Sequence, residues 1–172
     1  MNKIYLVGFM GVGKSTAGKK LASKLGWDFV DTDAIFEKKY KLHINAFFNK
    51  YGEDLFRKLE NDVLSSTFEL NNCVIATGGG MPCHFDAIEK ININGLSIYL
   101  EMSDKAILTR LINSKQKRPL IINKTEDELL SFVKDKLYVR NPYYSKAILT
   151  VPALSINIDL LISDIKSIIN IN

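Results

Sequence analysis

Hydrophobic positions along this chain fall into two alternating rhythms. Short apolar runs at positions 4–7, 73–76 and 96–100 carry little polar interruption, the pattern of strands whose two faces are both covered in a parallel sheet. Stretches at 27–30 and 147–151 bring the predicted strands to five. Between them the spacing turns helical. Ala17, Leu21, Ala22 and Leu25 line one face of a helix over 14–25, which Gly26 ends. After position 33 a helix turns Ile35 and Phe36 inward and Glu37, Lys38 and Lys39 outward. Ile44, Phe47 and Phe48 mark a short helix within 42–51, stopped at Gly52, and a longer one over 53–70 takes Leu55, Leu59, Val63, Leu64 and Phe68 as its apolar stripe. Further helices are expected over 105–113, over 125–139, where Thr125 and Glu128 have capping-box spacing, and over 158–169.

Strands alternating with helices predict an α/β fold, a five-stranded parallel sheet sandwiched by helices, with ligands at the carboxyl ends of the strands. At 172 residues the chain is most simply one domain, 1–172. Positions 8–15, 31–33 and 78–80 follow the first three strands, so one crevice should collect them.

Composition narrows the class. A hydrophobic share of 47% and a charged share of 24% are ordinary for a globular protein, and a net charge of +4 without a long basic run gives no argument for nucleic acid. No apolar run is long enough to span a bilayer and no leader-like segment follows Met1, so a cytoplasmic setting without a membrane partner is expected. Cys73 and Cys83 are too few and wrongly spaced for a zinc site, and Cys73 reads as a small core residue. His43 and His84 are expected in surface or helix-cap roles.

The stretch Gly8-Phe9-Met10-Gly11-Val12-Gly13-Lys14-Ser15 joins the first strand to the first helix and has the Gly-x4-Gly-Lys-Ser pattern of a phosphate-binding loop. Gly8 and Gly13 let the backbone turn tightly, so that N–H groups of Gly11, Val12, Gly13, Lys14, Ser15 and Thr16 can surround an anion at the positive end of a helix. Lys14 reaches the outer phosphates of ATP, and the Ser15 hydroxyl is a ligand for Mg2+. A dinucleotide fingerprint begun at Gly11 and Gly13 would need its third glycine at Thr16, so that reading fails.

The third strand ends in Thr77 without an acid, which leaves Asp31 and Asp33 as the carboxylates nearest the loop. Asp31 is expected to support Mg2+, and Asp33 to orient an acceptor hydroxyl and take its proton as the γ-phosphoryl transfers. Arg118, in the polar and basic stretch 114–124, reads as the cation of a mobile lid over ATP. Arg57 and Glu60 share a helix face. Such a pair is commonly a solvated surface salt bridge, yet Arg57 held by Glu60 and joined by Arg140 would also make a fork for a carboxylate. Gly78, Gly79 and Gly80 suggest either close backbone approach by a ligand or a flexible turn.

Taken in order, the phosphate loop through Thr16, Asp31-Thr32-Asp33, Phe56-Arg57-x-x-Glu60, the triple glycine, Arg118-Pro119-Leu120 and Arg140-x-x-x-Tyr144 form a set that resembles shikimate kinase, over essentially the whole chain. The resemblance implies a P-loop kinase fold similar to the nucleoside monophosphate kinases, with a lid at about 114–124 and a substrate-binding segment at about 32–61. It implies ATP-dependent phosphorylation of the 3-hydroxyl of shikimate in chorismate biosynthesis. By the same resemblance Lys14 and Ser15 hold ATP phosphate and Mg2+, Asp31 assists the metal, and Asp33 is the base. Arg57 and Arg140 grip the shikimate carboxylate with Glu60 orienting Arg57, Gly78 to Gly80 line the acceptor site, Arg118 contacts phosphate and Arg110 lies beside adenine. Shikimate and ATP are then the partners, and a monomer is expected. The chain departs from many members at Phe36-Glu37-Lys38-Lys39-Tyr40-Lys41, and at Pro152-Ala153-Leu154-Ser155 it lacks an arginine that some place beside adenine. A gluconate kinase of the same fold and a nucleotide-binding switch that transfers nothing are the competing readings.

Overall fold

The structure is a computed structural model that describes residues 2–114 and 124–169. Five parallel strands, β1 (Lys3–Val7), β2 (Asp28–Asp31), β3 (Cys73–Ala76), β4 (Leu96–Glu101) and β5 (Leu149–Pro152), pair in the order β2-β3-β1-β4-β5. β1 is central, with Ile4 beside Val74 on one side and Leu96 on the other. All its residues are buried, and withdrawing a side chain such as Leu6 from water contributes roughly 1.5–3 kcal/mol. That burial on both faces explains why the run has no polar break.

Eight α-helices among the described residues cover the sheet: α1 (Lys14–Leu25), α2 (Thr32–Tyr40), α3 (Ile44–Tyr51), α4 (Glu53–Ser66), α5 (Ala87–Asn94), α6 (Asp104–Ile112), α7 (Glu126–Tyr144) and α8 (Ile158–Ile168). The chain leaves β1 toward β2 but leaves β3 toward β4 in the opposite direction. Right-handed crossovers therefore set α1 on one face and α5 to α7 on the other. Gly26, left-handed at φ 67°, ends α1, and the Thr125–Glu128 capping box opens α7 with both of its hydrogen bonds. No described helix is long and apolar enough to cross a membrane.

Four details differ from the sequence expectation. The helix at 87–94 escapes notice because Ile91-Asn92-Ile93-Asn94 alternates like a strand, although the buried set is Ala87, Ile88 and Ile91. The helix after Gly52 ends at Ser66 in a 3-10 turn, Thr67–Glu69, and its buried face is Phe56, Glu60, Val63 and Leu64, with Leu55 41% exposed. Val63 and Leu64 keep their expected inner places, while Phe56, packed with Phe36 and Phe47, lies inside where Leu55 was expected, and Glu60 joins the buried face. α7 also runs past position 139 through Pro142 to Tyr144. Proline removes one donor to the carbonyl four residues back, and that residue, Tyr138, is open to solvent. Finally, α6 begins one residue early, at Asp104, where Ser103 accepts from the Ala106 N–H as its cap.

The core divides in two. The sheet and its covering helices make the larger cluster, whereas Phe36, Phe47, Phe56 and Val63 form a separate aromatic core within α2, α3 and α4. Phe36 and Phe56 stack at 4.8 Å, which fixes α2 against α4 three residues from Asp33 and one from Arg57.

Candidate active site

The loop between β1 and α1 needs its glycines. Gly8, Gly11 and Gly13 all take positive φ, and a Cβ on Gly8 would also stand 2.9 Å from the Leu100 carbonyl oxygen. Gly13 caps α1 without a side chain, so the N–H groups that begin the helix face outward for an anion. Lys14, 9% exposed, lies along the loop and donates to the carbonyl oxygens of Gly8 at 2.7 Å and Phe9 at 2.8 Å. Thr16 is exposed in the first turn of α1, and Arg110 closes the outer side of the loop by donating to the Val12 carbonyl at 2.9 Å.

Across from the loop, Ser15 Oγ donates to Asp31 Oδ2 at 2.6 Å, while Asp31 Oδ1 accepts from the Asp33 N–H at 3.0 Å. One carboxylate therefore caps α2 and reaches the loop serine. Among the described residues no cluster of three His, Cys, Asp or Glu exists that could hold a metal ion. A hydroxyl paired with one carboxylate is instead the sparse donor set that suits Mg2+ shared with phosphates.

The 78–80 turn draws the second half together. Thr77 ties the end of β3 to β1, its N–H and its hydroxyl both donating to the Leu6 carbonyl, and the Gly78 N–H donates to buried Thr32 Oγ1 at 3.0 Å. A Cβ on Gly78 would meet Asp33 Oδ1 and Glu60 Oε1. One on Gly79 would stand 3.6 Å from an Arg140 nitrogen, and one on Gly80 would be 2.7 Å from two nitrogens of Arg57. The glycines have no unusual φ. What approaches Gly78 and Gly80 is the protein's own carboxylates and guanidinium group, while a Cβ on Gly79 would be tightest against the Met10 backbone nitrogen of the phosphate loop, at 3.2 Å.

Arg57 and Glu60 make no solvated surface pair. Their side chains are only 11% and 6% exposed, and Nη1 donates to Glu60 Oε2 at 2.6 Å. Burial pushes the Glu60 carboxyl up to about 7 against the pull of Arg57, with Asp33 adding to the rise. Burial also disfavours the Arg57 charge, but Glu60 and Glu53 together more than offset it and hold that pKa above its ordinary value. The sequence reading overlooked Glu53, which accepts from Nε and Nη2 of Arg57 and whose i,i+4 spacing was visible. It also overlooked the rings beneath the cations: Arg57 lies over Phe56 and Phe48, and Arg140 over Phe9 at 5.5 Å.

Asp33, Arg57, Glu60, Arg140 and the three glycines thus meet beside the phosphate loop, and Arg110 stands on its far side. Arg118 and most of 114–124 lie outside the described residues. His43 is the N-cap residue of α3, and exposed His84 follows the 3-10 turn Met81–Cys83 as its C-cap, its N–H donating to the Met81 carbonyl; burial and the charge of Arg57 hold the His84 imidazole below the usual range. Burial pushes the Cys83 thiol up to about 11. A cleft of about 650 Å3 opens elsewhere, between Glu101, Asp104, Lys134, Tyr138 and Leu154, and no loop or acceptor-wall side chain lines it.

An anion loop facing a carboxylate and two guanidinium groups at the carboxyl ends of one parallel sheet is the layout of a phosphotransferase, and the fold has the architecture of the P-loop nucleoside monophosphate kinases. The shikimate kinase family profile matches residues 10–164, and the chain belongs to that family. A shikimate kinase of Phocaeicola vulgatus is 40% identical over 147 residues, 86% of this chain and 84% of that protein. The crystal structure of shikimate kinase from Bacteroides thetaiotaomicron superposes with a TM-score of 0.90 at 34% identity, covering 96% of this chain and 97% of the other. Shikimate kinase from Acinetobacter baumannii, in complex with shikimate, gives a TM-score of 0.81 at 33% identity over 98% of this chain and 93% of that one. A gluconokinase from Sinorhizobium meliloti, 14% identical with a TM-score of 0.55 over 95% of this chain and 88% of its own, shares the fold alone.

Proposed function

We propose that this chain transfers the γ-phosphoryl group of ATP to the 3-hydroxyl of shikimate, giving shikimate 3-phosphate and ADP for chorismate biosynthesis. The observation that carries this reading is the 78–80 turn, which packs Asp33, Glu60, Arg57 and Arg140 within reach of the loop bearing Lys14.

In this reading Arg57 and Arg140 take the acceptor carboxylate, with Arg57 steadied by Glu60 and Glu53. The acceptor then lies between that clamp and the loop. Asp33, in the first turn of α2, orients its hydroxyl and takes the proton as the new O–P bond forms and the bond from the γ-phosphorus to the bridging oxygen of ADP breaks. Lys14 leaves the carbonyls of Gly8 and Phe9 for the outer phosphates, where it offsets charge spread over the transferring group. Ser15 and Asp31 would hold Mg2+, which when bound neutralises phosphate charge. Arg110 borders the nucleotide. The chain works as one domain with 32–61 as its acceptor segment, as a monomer in the cytoplasm, without nucleic acid or membrane.

The test is ADP release by the purified chain with ATP and Mg2+, with shikimate, gluconate or a nucleoside monophosphate as acceptor. Shikimate-dependent release is the expected outcome. Release that needs another acceptor, or tight ATP binding with no acceptor-dependent release, would overturn the proposal in favour of a sister kinase or a switch.

A further inference from the structure

Tyr144 is the last residue of α7, four positions after Arg140 and therefore on the same helix face. It is fully buried, and its ring stacks on Tyr99 at 5.2 Å with the planes 32° apart. Its hydroxyl donates to the Gly79 carbonyl at 2.5 Å, and an Arg140 nitrogen stands 3.6 Å from where a Cβ on Gly79 would be, so phenol, glycine and guanidinium gather at one point, where the Arg140 charge acts on the phenol. A carbonyl only accepts, so the phenol proton is committed to Gly79 and the phenol lone pairs are left for a donor such as the Arg140 guanidinium. Burial keeps the phenol protonated, well above its ordinary pKa.

The consequence lies at the glycine turn. A trans peptide points its N–H opposite to its C=O, so a Gly79 carbonyl held toward Tyr144 turns the Gly80 N–H away from it. Arg140, one helical turn before Tyr144, lies over Phe9 beside the same turn.

We propose that Tyr144 is a positioning residue, its hydroxyl locking the Arg140 guanidinium and the 78–80 turn into a single frame for the acceptor carboxylate. This rests on the reading of Arg140 as a carboxylate ligand. Loss of the hydroxyl should loosen the clamp while the nucleotide half is undisturbed.

Tyr144→Phe keeps the stacked ring and removes one oxygen. The Michaelis constant for shikimate should rise about tenfold, equivalent to about 1.4 kcal/mol, while that for ATP changes by less than about twofold. Preference for shikimate over its methyl ester should fall by a similar factor, and Tyr144→Phe should add nothing in an Arg140→Ala background. Tyr99→Phe, which trims only the hydroxyl that donates to Asn141, should leave the shikimate constant alone. An unchanged shikimate constant in Tyr144→Phe, equal rises for both substrates, an equal effect of Tyr99→Phe, or failure of Tyr144→Phe to fold each overturns the proposal. A wild-type chain inactive with shikimate would overturn the functional reading instead.

Discussion

Asp33 and Glu60 converge on Gly78: a Cβ at that position would stand 2.7 Å from Asp33 Oδ1 and 2.9 Å from Glu60 Oε1. The two carboxylates arrive from α2 and α4, and the missing side chain is what lets both reach the end of β3. Gly78→Ala should therefore displace Asp33, the base of the proposed reaction, without disturbing the phosphate loop. Misplacement on the scale of an ångström predicts a fall in kcat/KM for shikimate of about 100-fold, with ATP affinity changed by less than about twofold. Steady-state kinetics with a separate nucleotide titration checks this, and a fully active Gly78→Ala enzyme would show that Asp33 works from elsewhere.

Glu60 gives stability a pH dependence of definite sign. Its folded value of about 7 lies above the ordinary 4.5, so between these values the folded chain keeps a proton that the unfolded chain has released. The contribution is complete below 4.5 and is lost as pH rises through 7, with an upper size on the order of 3 kcal/mol. Glu60→Gln removes that slope. Chemical denaturation at pH 5 and pH 8 should show the wild type losing more stability than the variant across the interval, and equal losses would show that Glu60 ionises alike in both states.

Asp31 caps α2 and, in the proposed reaction, would also help hold Mg2+. Asp31→Asn retains an oxygen for the Asp33 N–H and so keeps the α2 cap, but removes the charge opposite Ser15. The Mg2+ concentration for half-maximal rate should rise about tenfold or more, with thermal stability nearly unchanged. Asp31→Ala should lose the cap as well, at about 1 kcal/mol. An unaltered Mg2+ requirement in Asp31→Asn would remove the metal role.

Much of this layout was legible before any coordinates. Apolar runs such as Ile4 to Val7 can only be covered strands, and the loop glycines carry their reason in their spacing, so the sheet and the phosphate loop follow from local rules. The acceptor wall follows from no local rule. Whether Arg57 and Glu60 are solvated or buried depends on Gly80 and Gly78, which lie beyond the end of α4 in sequence and arrive only when β3 pairs with β1. Phe56 faces inward in place of Leu55 because it packs on Phe36, Phe47 and Phe48, rings brought from two other helices. Tyr144 was visible as a neighbour of Arg140, but its bond to Gly79 depends on tertiary packing.

Arg57 permits the sharpest separation of acceptor binding from folding. Arg57→Ala would leave Glu60 buried without its cation, a loss of roughly 3–5 kcal/mol that would confuse stability with binding. Arg57→Lys keeps a charge near Glu60, but a single ammonium cannot reproduce the planar fork that now donates to Glu53 and Glu60 and stacks over Phe56. Its Michaelis constant for shikimate should rise by about 30- to 100-fold, or roughly 2–3 kcal/mol, and that for ATP by less than about twofold. The carboxylate assignment makes a further demand on the same variant. Shikimate methyl ester, which offers no anion, should lose far less on the change to lysine than shikimate does. If acid and ester suffer alike, Arg57 holds the acceptor segment together and does not read the carboxylate.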